Sequence, residues 1–306
     1  MNLLATIALG LLNAATVLLA APLGEGLLRK LTARIQSRQG PPLLQPYYDL
    51  LKLLCKEDLE AGQVPSMQRF AACLAFAAVV AVAWLVPMGA PAPLNAHADV
   101  VLLIYLLSLC SISTLLAGLA AGSTFSLLGI SREMMAMVAL EPLLAVALVV
   151  GAVHEKSLRL EAVLSGSVYG AAGFPWSGLL TLLAVLLAFQ AFVQRAPFDM
   201  AEAETELMEG PLLEYSGPKL ALFKYARQAK LMVYCALFVA LFAPWGLGLG
   251  QPLAWLWFWA KVGVLVLLVT AIAATHARYR IDQALRYLGG LLGVALAALV
   301  LATFGY

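Results

Sequence analysis

Apolar residues fall in runs of about twenty, separated by shorter polar segments in which nearly all the charge is collected. Eight runs stand out, at about 3–28, 68–88, 99–121, 134–153, 177–194, 230–248, 253–276 and 287–304, the fifth being the shortest. A helix rising 1.5 Å per residue needs roughly 20 such residues to cross ~30 Å of hydrocarbon. The pattern therefore predicts an all-α membrane protein of about eight transmembrane helices, with residues 1–306 forming one polytopic membrane domain. Within the polar segment after the first run, Leu43, Leu44, Tyr47, Leu50, Leu51 and Leu54 recur at helical spacing, with Asp49, Lys52, Lys56 and Glu57 on the other side. Too short and too charged to span, that stretch predicts an amphipathic helix lying in the membrane interface.

The polar segments alternate in sign. Those after runs one, three, five and seven hold almost every Lys and Arg, whereas the opposite side holds only Lys156 and Arg159. By the positive-inside rule the charged loops are cytoplasmic and both termini lie outside, which suits an even number of spans in a bacterial inner membrane. Two cytoplasmic loops are long, at about 29–67 and 195–229, and the second is acidic. The first run lacks a basic leader and is followed by Arg29 and Lys30, so it reads as a retained span and not a cleaved signal. Trp255, Trp257, Phe258 and Trp259 form an expected outer interfacial belt.

Composition agrees and narrows the chemistry. Of 306 residues, 63% are hydrophobic and 12% charged, against about 25% charged in a soluble domain. A net charge of +2 gives no nucleic-acid signature. Cys55, Cys73, Cys110 and Cys235 are too widely spaced for a zinc or iron–sulfur motif. His97, His154 and His276 stand apart as well. No cofactor is expected on this chain, and any redox centre belongs to partner subunits.

Candidate chemistry lies in intramembrane charge. Glu141 falls seven residues into the fourth run, about 10 Å deep at 1.5 Å per residue, where an ionisable group is costly and points to function by default. Lys261 in the seventh run is similar, although lysine can also snorkel outward. In the acidic loop, Pro197 is expected to open a helix on which Asp199, Glu202, Glu206 and Glu209 share an arc of about 80° at ~100° per residue. That stripe is either a solvated acidic face or, if partly buried, a set of carboxylates able to take up and release protons. Arg34, Arg38, Arg132, Arg278 and Arg280 crowd the cytoplasmic ends of the spans, as topogenic charge, as partners for carboxylates, or as docking points for a soluble partner.

The segments ARIQSRQGPPLLQPYYDLLKLLCKED, STFSLLGISREMMAMVALEP, PFDMAEAETELMEGPLLEYSG and ARYRIDQ together resemble the family of mitochondrial complex I subunit 1, its bacterial counterpart and the matching subunit of membrane-bound [NiFe]-hydrogenases. The resemblance implies a tilted eight-helix bundle beneath a hydrophilic arm carrying iron–sulfur clusters. It makes Glu141, Asp199, Glu202, Glu206 and Glu209 coupling carboxylates and sets the five arginines at the junction with the arm or a quinone-like cavity. The run MEGPLLEYSG looks like the hydrogenase branch, including the formate hydrogenlyase and CO-induced types, whereas ARYRIDQ and FKYARQ read like the quinone branch. The expected function is thus a membrane-anchoring, proton-coupling subunit, non-catalytic alone. Its expected partners are hydrophilic large and small hydrogenase subunits with a nickel–iron centre, iron–sulfur proteins and antiporter-like membrane subunits. The alternatives are a quinone-binding subunit of NADH:quinone oxidoreductase and a stand-alone secondary transporter.

Overall fold

The computed structural model describes residues 3–59, 64–164, 175–201, 204–246, 250 and 252–305, and among them it is helical throughout, with one isolated bridge between Asp99 and Arg159. Seven helices are long and apolar enough to cross a membrane: α1 (Leu3–Ile35), α3 (Pro65–Leu85), α4 (Val100–Ala121), α5 (Thr124–Glu155), α9 (Gly217–Phe242), α10 (Leu253–Thr275) and α11 (Ile281–Thr303). An eighth apolar helix, α7 (Trp176–Phe192), has 17 residues, about 25 Å at 1.5 Å each. Short helices fill the connections: α2 (Gln45–Leu54), α6 (Leu160–Leu164), α8 (Glu204–Leu207) and a 3₁₀ turn at Gly210–Leu212.

Helix α9 is the central pillar. The most apolar window of α9 is 89% buried, against 50% or less in every other long helix, although α9 is the least apolar of the seven. The inversion has a simple cause. Helices that face lipid must be apolar outward, whereas a helix enclosed by protein can carry Lys219 and Lys230, both buried, where Asp58, Ser111 and Gln194 meet them. Around it, α3 and α4 pack closely through small residues such as Ala71, Ala75 and Ala78, as expected where no hydrophobic drive pulls helices together in lipid. Helix α11 presents Ala284, Leu288, Leu291, Ala295 and Ala298 to α5 and α7 at helical spacing.

Two expected helix starts move. The fourth span begins at Thr124 and not 134, because Gly122 ends α4 in the left-handed region (φ 72°) and Ser123 caps the next helix, accepting from the Ser126 N–H. The sixth begins at Gly217 and not 230, so the acidic loop ends well short of the expected 229. Both helices run straight through charges that depress hydropathy, since those charges find partners. The predicted interfacial helix is present as α2, lying against α1 and α9. It buries Pro46 and Leu50 and leaves Tyr48, Leu51 and Leu54 exposed. Tyr47 of α2 reaches into the bundle, its hydroxyl donating to the Leu19 carbonyl. One residue along, Pro22 removes the N–H that would bond the Leu18 carbonyl, and Tyr225 Oη donates to it instead at 2.9 Å.

The acidic segment departs most from expectation. No helix runs from Pro197 to Glu209: the chain turns at 193–201, following a cis Ala196–Pro197 bond, and only Glu204–Leu207 is helical before the 3₁₀ turn. Buried Phe198 and Met200 set the path of this turn, not the spacing of its charges. The single carboxylate stripe is therefore absent, and Glu202 lies outside the described residues.

Candidate functional site: a buried charged relay

Within its first eighteen residues helix α5 carries Glu133 and Glu141, eight residues apart, about 12 Å along its axis. Glu133 is 6% exposed. Its Oε1 accepts from Gln194 Nε2, and the same amide's Oε1 accepts from Lys230 Nζ at 3.1 Å. Lys230 Nζ also donates to Ser111 Oγ at 3.2 Å. An amide bridge between carboxylate and ammonium answers both charges in a site where either alone would be costly. Neighbouring Arg132 points the other way, donating to Glu206 Oε2 at 2.6 Å and to the Met200 carbonyl at 3.4 Å. Hydrogen bonding to Arg132, and then its charge, hold the Glu206 carboxyl below its usual range.

Glu133, Glu141, Lys230 and Tyr234 line one cavity of about 40 Å³, where a water needs roughly 10–15 Å³. Buried Oε1 of Glu141 has no hydrogen-bond partner among the described residues, which suits a hydrated carboxyl.

Nearer the arginine-rich ends, Glu25 of α1 is 4% exposed and accepts from Arg195 Nη2 and from Arg29 Nε at 3.2 Å. Arg29 continues to Asp49 of α2 at 2.9 Å. A polar cavity of about 140 Å³ adjoins this cluster, lined by Glu25, Arg29, Glu209, Lys224, Arg227 and Gln228. Between the two clusters a cavity of about 40 Å³ touches Arg227 on one side and Gln194 and Lys230 on the other. A further one joins Glu133 and Gln194 to Asp199. Neighbouring water-sized spaces that share lining residues are thus spread from Glu25 and Glu209 to Glu141.

The carboxylates of the acidic segment are dispersed. Asp199 accepts from Arg278 Nη2 at 3.4 Å, Glu206 pairs with Arg132, and Glu209 lies 3.5 Å from Lys224. Each meets a cation from a different element, so the repulsion expected of a stripe does not arise. The segment is seated on α4 and α5: Gly129 leaves room for Pro211 and Gly210, whose atoms would lie 2.8 and 3.1 Å from a Cβ there. Tyr215 Oη donates to the Ala117 carbonyl at 2.9 Å.

Arg34, Arg38 and Arg280 are exposed at helix ends and form no ion pair among the described residues. Lys261 is remote from the relay. Its ammonium donates to the Ala243 carbonyl and to that of Trp245 at 2.8 Å, at the C-terminal end of α9.

Glu25, Glu133, Gln194, Arg195, Arg227 and Lys230 are not singled out by the sequence patterns. A depth argument could have found Glu25, the one carboxyl within the first apolar run. Glu133 falls one residue outside the run assigned to 134–153, and the basic residues read there as topogenic charge.

The NADH dehydrogenase family model matches residues 7–303. Hydrogenase-4 component C of Escherichia coli is 35% identical over 272 residues, covering 87% of this chain and 85% of that protein. Formate hydrogenlyase subunit 4 of the same organism is 32% identical, covering 95% and 96%. An NADH-quinone oxidoreductase subunit of Geobacter sulfurreducens is also 32% identical, over 84% and 82%. Among solved structures, a chain of the membrane-bound sulfane sulfur reductase, an archaeal respiratory membrane complex, superposes with a TM-score of 0.86 at 24% identity, covering 97% of this chain and 99% of that one.

Proposed function

The chain belongs to the NADH dehydrogenase family of membrane subunits, that of mitochondrial complex I subunit 1, and from that premise we propose that it anchors and couples an energy-converting [NiFe]-hydrogenase complex. The observation that carries the coupling role is the buried relay Glu133–Gln194–Lys230, opening on a cavity shared with Glu141. A change of charge or shape at the junction with the peripheral arm alters the field at the Glu25–Arg195 cluster. Through the adjoining cavities it biases the protonation of Glu141, beside the fixed Glu133–Lys230 pair, and protons pass on to neighbouring antiporter-like subunits. Asp199, Glu206 and Glu209 hold the acidic segment between junction and relay, through Arg278, Arg132 and Lys224. Glu202 belongs to the same segment. Arg38 and Arg280 are free to meet the arm, and Lys261 stays outside the path. Iron–sulfur clusters and nickel–iron chemistry sit on the partners, in a bacterial inner membrane with both termini outside.

The hydrogenase branch is favoured by the run MEGPLLEYSG, which packs as a unit against α4 and α5, and by the two hydrogenase-type relatives. A quinone-reducing role is favoured by the 140 Å³ charged cavity beside Glu25, by the runs ARYRIDQ and FKYARQ and by the relative from Geobacter sulfurreducens.

Purification of the native complex in gentle detergent, with metal analysis and a hydrogen-evolution assay, separates these readings. Nickel, iron and hydrogen evolution insensitive to quinone-site inhibitors are expected. Inhibitor-sensitive quinone reduction without nickel moves the chain to the complex I branch. Recovery as a lone homo-oligomer overturns the subunit role and leaves a transporter.

A further inference from the structure

On the lipid-facing side of the bundle, away from the relay, α1 and α10 leave a groove of about 400 Å³ lined almost wholly by carbon. That lies within the ~300–1,000 Å³ typical of ligand sites. Its α1 wall is the stripe Thr16, Leu19, Ala20, Leu23, Gly24 and Leu27, eleven residue steps or about 16 Å. This is roughly half of the ~30 Å hydrocarbon core, the share of one acyl chain. Trp255, Trp259 and Gly263 form the opposite wall, and Met232 of α9 lies at its back. Leu19 and Leu23 are exposed, so the groove opens sideways.

The charge at one end says what fills it. Continuing the α1 stripe from Leu27 by three and seven residues reaches Lys30 and Arg34, on the same helical face one and two turns on. Neither forms an ion pair or side-chain hydrogen bond among the described residues, in contrast to Arg29, which is held by Glu25 and Asp49. An apolar trough about one leaflet deep, whose α1 wall leads on beyond its lining to two unanswered cations, matches an amphiphile with an anionic head. We propose that this groove binds a membrane phospholipid, one acyl chain running along Leu27–Thr16 toward Trp259 and its phosphate lying between Lys30 and Arg34. The site is independent of the coupling relay, and its occupancy does not rest on which redox branch the complex serves.

Gly263 supplies the test, because a Cβ there meets nothing within 4 Å. Gly263→Phe fills the groove without striking the backbone. The purified complex, in proteoliposomes containing a phospholipid with a photoactivatable acyl chain, is irradiated and its labelled peptides are mapped. Label is expected on residues 16–27 and 259–266, to fall about tenfold in Gly263→Phe and severalfold in the Lys30→Glu/Arg34→Glu pair. Label elsewhere, equal label in Gly263→Phe, or no label because a partner helix covers the groove overturns the proposal. So does displacement by a lipoquinone that excess unlabelled phospholipid does not match. Should Gly263→Phe fail to assemble, the wild-type map and that competition decide alone.

Discussion

Two levels of α5, about 12 Å apart, handle the same chemical group in opposite ways. At the first, Glu133 is answered: an amide donates to it, and that amide in turn holds an ammonium. At the second, one oxygen of Glu141 is buried with no partner among the described residues. The first arrangement fixes a charge in place. The second leaves a carboxyl whose proton can change hands through water at small structural cost. On the proposed function, stability and transport thus fall to different residues of one helix, and each can be disturbed separately.

The largest effect is expected at the answered level. Lys230→Met strands Glu133 with no close cation, and breaking a buried charged pair costs about 3–5 kcal/mol. The variant complex should lose thermal stability in detergent, and the double change Glu133→Gln with Lys230→Met should recover most of it. Equal losses in the single and double variants would show that the two groups are not coupled.

At the unanswered level, Glu141→Gln should leave assembly and melting unchanged, since Oε1 gives up no protein contact. Proton translocation into inverted vesicles should fall by about 10²-fold, the lower end of what losing a proton-transfer group costs. If translocation and hydrogen turnover both persist unchanged, Glu141 has no coupling role.

The smallest effect belongs to the surface pair that brackets this region. The folded-state pKa of Glu206 is depressed by Arg132, so the pair's contribution is present above the ordinary value of 4.5 and disappears as pH falls below it. Hydrogen-exchange protection factors at Glu204–Leu207 should drop on acidification through that range in the native chain. In Arg132→Gln they should already be low and nearly flat with pH.

Much of the architecture was legible because hydrocarbon thickness sets run length, and the eight runs each contain a helix. What the runs concealed were helix starts rich in charge. Arg132 and Glu133 lower the local hydropathy, so the apolar run begins at 134, although Gly122–Ser123 marks the true start of the helix. Lys219, Lys224 and Arg227 hid thirteen residues of α9 in the same way. Glu141 could be found by depth alone. Glu133 could not, because its burial depends on Gln194 and Lys230, 61 and 97 positions later in the chain. The acidic stripe failed for a different reason: charge spacing says nothing about path when Phe198 and Met200 are buried and Asp199, Glu206 and Glu209 each have a separate cation.

Gln194 has a consequence in the language of circuits. A hop along a hydrogen-bonded chain requires each member to receive a proton on one side and release one on the other, as water, hydroxyl and imidazole do. A side-chain amide holds fixed polarity: its nitrogen only donates and its oxygen only accepts, and the flanking carboxylate and ammonium dictate which way round it sits. Gln194 therefore joins Glu133 to Lys230 as a dielectric joins the plates of a capacitor. The charge on one is felt by the other without a proton-transfer path through the amide, so under the proposed coupling role a proton passes by way of the water-sized cavity alongside.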